Sequence, residues 1–154
     1  MSAMIDDALW GLPDPDRSPE FYDGVPFKRL LAWLVDTILV TLATLLIVAA
    51  TLFVTVFIFP AIFLAVHLAY RIFFLARDSA TPGMRLVAIE IRTHRGDRLD
   101  AGMAALHTLA YSVIAGFVLP QVVGIVMMLT TARGQGLHDM LLGTTAINRP
   151  AERF

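Results

Sequence analysis

The chain has no cysteine, which removes disulfide frameworks, thiolate metal sites, iron–sulfur clusters and cysteine nucleophiles together. Charge is scarce as well. Only 16% of the 154 residues are Asp, Glu, Lys or Arg, and 12 basic side chains stand against 13 acidic ones, a formal net charge of −1. No global positive field exists to follow a phosphate backbone, so nucleic acid is excluded as a partner. Apolar residues fill the space that charge leaves: 57% of the chain is hydrophobic and the mean hydropathy is +0.71. That is too apolar for a soluble domain of this length, and the lipid bilayer is the expected surrounding.

The charge-free stretches are long. None of the 34 residues from Thr37 to Tyr70 is Asp, Glu, Lys or Arg, and apolar character extends from Leu30 to about Leu75. A helix that long would reach about 69 Å, more than twice the roughly 30 Å hydrocarbon core. Two antiparallel spans over about 30–51 and 56–76 are the economical solution, turning between Thr51 and Pro60. A second uncharged stretch, Ala101 to Ala132, is 32 residues long, more than one span and less than two. Two readings stay open. One is an interfacial helix over Ala101 to Ala110, carrying His107 and Tyr111 toward the headgroups, with a third span at about 112–130. The other is a broken, re-entrant hairpin around Gly116 and Pro120.

Basic residues near the span ends set the orientation. The first connection has none, whereas the segment after the second span holds Arg71, Arg77, Arg85, Arg92, Arg95 and Arg98, and Arg17, Lys28 and Arg29 precede the first span. Both sides are expected in the cytoplasm. Arg133, Arg149 and Arg153 pull the carboxyl end to the same side, against a three-span count. Residues 1–26 carry Asp6 and Asp7 where a secretory signal would be positive. They read as an irregular acidic arm meeting the membrane at Phe21, Tyr22 and Phe27. Residues 27–148 form the membrane domain and 149–154 a tail. Between the spans, Val87, Ile89 and Ile91 alternate with Ala88, Glu90 and Arg92, which predicts a cytoplasmic β-hairpin over about 85–99. Thr81-Pro82-Gly83 is its entering turn, Gly96-Asp97 its tip, and Gly143 to Asn148 a third strand in reserve.

Some charge is spent inside the apolar regions. Arg29 and Asp36 are seven apart and project along nearly one helix face, Asp36 about 10 Å deeper. An intramembrane carboxylate is a functional hypothesis by default. On the antiparallel second helix His67 and Arg71 bracket the same depth and share a face, so Asp36, His67 and Arg71 are expected to form a buried polar cluster. That cluster is either a salt bridge fixing helix register or part of a proton or ion relay. Of the four histidines, His67, His94, His107 and His138, no two are three or four apart and no metal-ligand motif appears, so no metal or cofactor is expected. Arg95-Gly96-Asp97 reads as a hairpin turn. No serine has the partners of a nucleophile, and no enzymatic activity is expected.

Phe27-Lys28-Arg29 with Asp36, then Thr81-Pro82-Gly83-Met84-Arg85-Leu86, then Gln135-Gly136-Leu137-His138-Asp139 and Gly143-Thr144-Thr145 resemble the RDD family of small bacterial membrane proteins. The resemblance covers residues 27–148. It maps the arginine and two aspartates that name the family onto Arg29, Asp36 and Asp139, with His138 and His107 secondary. Met84 stands where the family has lysine, and the arginine common early in the third hydrophobic region is absent, His107 being the nearest polar residue. The resemblance implies the bacterial inner membrane and a role in transport, sodium/proton exchange being suggested for some members. It also asks that Asp139 lie on the same side as Arg29. Two functions remain in view: an oligomeric transporter of ions or small solutes, and a non-catalytic accessory subunit of a larger membrane complex.

Overall fold

A computed structural model describes residues 11–150; residues 1–10 of the acidic arm and 151–154 of the tail lie outside it. Helix α1, Val25–Ala50, begins after Gly24, whose φ of +67° suits glycine, and Pro26 occupies its first turn, where a missing N–H is harmless. Val25, Ala32, Asp36, Val40, Thr44 and Val48 are buried along one stripe. Leu34, Ile38, Leu42 and Leu45 face outward. Large apolar residues outside and small ones inside is the pattern of a helix surrounded by lipid.

Leu52 and Phe53 have positive φ and reverse the chain. A short 3-10 turn, Val54–Ile58, leads into helix α2, Phe59–Asp78, with Pro60 in its first turn. The turn thus falls inside the expected Thr51 to Pro60 stretch. Pro60 sets the start of the second helix at Phe59, three residues later than expected. The stretches Pro19–Ala50 and Val54–Asp78 are both long and apolar enough to cross a membrane.

The predicted hairpin over 85–99 is corrected. Thr81 caps a five-residue helix α3, Pro82–Leu86, its hydroxyl accepting the Met84 N–H at 3.3 Å. Ala88, at φ +55°, redirects the chain into strand β1, Ile89–Thr93. Its partner is not the return segment after Gly96, which contributes one bridge, Arg92 to Arg98. That segment is diverted at once: Leu99 is buried, its N–H is held by Ser79 Oγ at 2.7 Å, and Asp100 caps the next helix. The partner is β2, Thr144–Asn148, antiparallel with Ile91 opposite Ala146. The strand held in reserve is the one that pairs.

Helix α4, Ala101–Ala115, and helix α5, Val118–Thr130, are bent by 115° relative to each other. A continuous helix over 112–130 is therefore not formed. Phe117 is extended, and Pro120, whose ring excludes it from a helix interior, sits in the first turn of α5. α4 runs five residues beyond the expected Ala110, and His107 is buried rather than turned to headgroups. Gly134, at φ +60°, turns the chain into helix α6, Leu137–Leu142. Leu75, Ala80, Met84, Ile89, Ile91, Leu99, Ala104 and Ala146 form one core with Val25 and Ala32. This core sits where one end of the helices meets the sheet. Met84 is one of its members, so an apolar residue suits that position.

The amino-terminal arm closes on the same end. Asn148 Nδ2 donates to the carbonyls of Glu20 and Asp23, and Lys28 donates to Asn148 Oδ1 at 2.7 Å. Tyr22 is buried, its hydroxyl donating to the Pro13 carbonyl at 2.7 Å, and so does not reach outward as expected. Phe27 does, at 64% exposure.

Candidate functional site

Asp139 is completely buried in the first turn of α6. One oxygen accepts Arg29 Nη1 at 2.6 Å and the Gly136 N–H at 3.1 Å. The other accepts His107 Nε2 at 3.1 Å and the Thr144 hydroxyl at 3.0 Å. Four elements converge here: α1 brings Arg29, α4 His107, α6 Asp139 and the start of β2 Thr144. Arg29 also reaches His138, whose Nε2 lies 3.2 Å from Nη2 and 3.6 Å from the carboxylate. The rings of His107 and His138 stand edge to face at 5.0 Å.

Burial alone would raise the Asp139 pKa, but the Arg29 guanidinium, with His138 and His107, holds it well below the usual carboxylate range. His138 is shifted down as well, away from an ordinary imidazole. Burial, reinforced by Arg29, His107 and Arg71 and opposed by Asp139, lowers it to about 3. Between about pH 3 and 6.5 the folded protein therefore binds fewer protons at His138 than the unfolded chain does. Stability is expected to fall as pH drops through that window, by about 1.4 kcal/mol per pH unit at most. His138→Gln should flatten this part of the profile, read as Tm against pH in detergent. An identical profile in the variant would remove His138 as its cause.

His107, His138 and Asp139 also place ligand atoms within 4.8 Å of one another, close enough to hold a metal ion. Arg29 already touches both the Asp139 carboxylate and the His138 nitrogen, so the guanidinium supplies the positive charge at this position. A metal ion would have to displace it.

Asp36 lies elsewhere. One oxygen accepts the Tyr70 hydroxyl at 2.7 Å and the Gly83 N–H at 2.8 Å; the other accepts the Thr81 hydroxyl at 2.5 Å. It ties α1 to α2 and to the start of α3. The expected cluster of Asp36, His67 and Arg71 is accordingly rearranged. No hydrogen bond or ion pair joins the three among the described residues. Instead Arg71 lies over the Tyr111 ring at 4.3 Å and His67 stacks on the same ring at 6.0 Å. Tyr70 held the Asp36 contact one residue away from the Arg71 that sequence reasoning selected. Thr81 and Gly83 were visible only as a turn, and Tyr111 only as an interfacial aromatic.

The RDD family model matches residues 24–143, most of the chain and every residue of the site except Thr144, which follows directly. The chain belongs to the RDD family. Of the charges that name the family, Arg29 and Asp139 form one ion pair, while Asp36 serves a separate brace about 10 Å along α1. The pairing places Asp139 at the same end of the fold as Arg29, as the family pattern requires. Searches of the curated proteins and of the solved structures find no match.

Proposed function

We propose that this RDD-family chain is a non-enzymatic integral protein of the bacterial cytoplasmic membrane that moves an ion or small solute as a homo-oligomer. The observation carrying this reading is the contact of two buried imidazoles with a buried carboxylate–guanidinium pair. Arg29 and Arg71 balance Asp36 and Asp139 in the helical part of the fold, the buried Glu90 on β1 being paired separately with Arg92 and Arg149. One proton added to either ring upsets that balance in a dry environment, which is what coupling a proton to a conformational change needs.

α1 and α2 cross the bilayer with the amino-terminal arm and the arginine-bearing sheet in the cytoplasm. α4 leaves the sheet, and α6 returns to it beside Arg29, so α4 and α5 enter and leave on one side as a re-entrant pair. Two crossings cannot enclose a polar path, hence the oligomer. Proteoliposomes loaded with wild type are expected to show sodium or proton flux under an imposed pH gradient, reduced at least about tenfold by His138→Gln and His107→Gln. Absence of flux from verified, correctly inserted protein rejects transport.

One observation favours the accessory-subunit reading: both motif carboxylates already have their oxygens filled by protein donors, as structural braces do. Native purification distinguishes the two. A homogeneous homo-oligomer supports transport, and a fixed-ratio foreign partner supports the subunit.

A further inference from the structure

No Asp, Glu, Lys or Arg occurs between Thr37 and Tyr70, and the turn that joins α1 to α2 lies in the middle of that stretch. Counted along α1, Ala50 stands about 32 Å from Arg29, and along α2 Phe59 stands about 27 Å from Arg77. The hydrocarbon core is roughly 30 Å thick, so the hairpin carries residues 51–58 to the far edge of that core. Chemistry decides which side of the edge they occupy. Leu52 and Phe57 are 84% and 89% exposed, and Phe53, Val54, Val56 and Ile58 are exposed beside them.

The polar groups of the turn find partners within it. The Phe53 N–H donates to the Val48 carbonyl at 2.9 Å and the Leu52 N–H to that of Ala49 at 3.1 Å, the two bonds of a Schellman helix stop. The Thr51 N–H goes to Ile47, that of Val54 to Thr51, that of Val56 to Phe53 and that of Phe59 to Val56. Both polar side chains are engaged as well: Thr51 Oγ1 lies 3.0 Å from the Ile47 and Val48 carbonyls and 2.7 Å from Thr55 Oγ1. A turn in water can leave such groups to solvent, whereas one in hydrocarbon must satisfy them itself. The choice of residues agrees. A Schellman stop places a left-handed residue at position 52, where glycine is usual, yet here Leu52 and Phe53 take φ of +51° and +64°. Glycine or asparagine would relieve the strain. Large apolar side chains offset it only where they leave water.

We infer that this turn is seated among the acyl chains of the far leaflet, so that its partner is lipid and the hairpin offers no surface to water on that side. The inference rests on α1 and α2 crossing the bilayer and goes beyond it, since a crossing hairpin ordinarily ends in solvent. Polar recognition by the hairpin is then confined to the end that carries Arg29 and Arg77. Any solute path opening on the far side takes its polar mouth from elements other than this turn.

The absence of native cysteine makes the test direct. Phe57→Cys and Val54→Cys change exposed side chains, and Arg98→Cys is the control in water at the sheet end. Each full-length protein is placed in lipid nanodiscs, which open both faces of the bilayer to a charged maleimide. Labelling at positions 57 and 54 is expected to be at least about tenfold slower than at 98, because a thiol in hydrocarbon ionises less. All three should label alike in SDS. Bimane attached at position 57 before reconstitution should lose fluorescence when the acyl chains carry bromine. Fast labelling at 57 and 54 overturns the seating and puts the turn in water. Slow labelling without quenching by brominated lipid overturns it in favour of a covering protein surface, a second copy included. Alkaline carbonate extraction reads the crossing separately: protein released by carbonate removes the crossing itself, whereas fast labelling of protein that stays in the membrane removes only the seating.

Discussion

Asp139→Ala is expected to lower unfolding stability in detergent by roughly 3–5 kcal/mol and to deplete the protein from the membrane fraction. The substitution strips four donors of their acceptor at once: Arg29, His107, Thr144 and the Gly136 N–H. It also leaves the Arg29 side chain, 11% exposed, buried without its carboxylate. Removing one member of a buried ion pair is worse than removing both, because the survivor keeps its desolvation penalty. Arg29→Met combined with Asp139→Ala should therefore be less damaging than the sum of the two single changes. Thermal unfolding of the four proteins forms the cycle. Additive losses, or a wild-type Tm for Asp139→Ala, would show that the pair is not coupled in the fold.

The same residue shows how far sequence carries. Charge-free runs locate α1 and α2 because lipid tolerates few alternatives, and the positions of Pro26, Pro60 and Pro120 each mark a first helical turn. Asp139 could be joined to Arg29 only through family resemblance, since 110 residues separate them and no periodicity spans that gap. The strand over Gly143 to Asn148 was legible as a third member of the sheet, but its direct pairing with β1 was hidden for the same reason. A local hairpin is the natural expectation for Gly96-Asp97, and only the competing demands of Leu99 and Asp100 cut it to one bridge. Depth matching on the two spans brought Asp36 and Arg71 to one level, but depth does not specify which face of a helix wins. The backbone N–H of Gly83 and the hydroxyls of Thr81 and Tyr70 reach Asp36 first. Neutral donors already fixed in place satisfy the carboxylate, and Arg71, itself buried, packs on the Tyr111 ring instead.

That brace makes Gly83→Ala the other substitution of large effect. A Cβ at position 83 would stand 2.3 Å from the Ala32 carbonyl oxygen and 2.7 Å from Asp36 Oδ1. The first of these is backbone of α1 and cannot rotate away. α3 must instead retreat from α1, which breaks the Gly83 N–H bond to Asp36 and disturbs Met84 in the core beneath it. Overpacking and a lost bond to a buried carboxylate together predict a loss of roughly 3 kcal/mol or more. Gly102→Ala is the internal control. Its Cβ meets only Asp100 Oδ1 at 3.4 Å, and alanine favours helix over glycine by about 1 kcal/mol, so that variant should match or slightly exceed wild type. Tm values that fall equally for both glycines would mean that close approach of α3 to Ala32 is not what fixes Gly83. A selective loss at Gly83 would identify the short helix α3, held against α1 by Asp36, as the element that locks the sheet to the membrane helices.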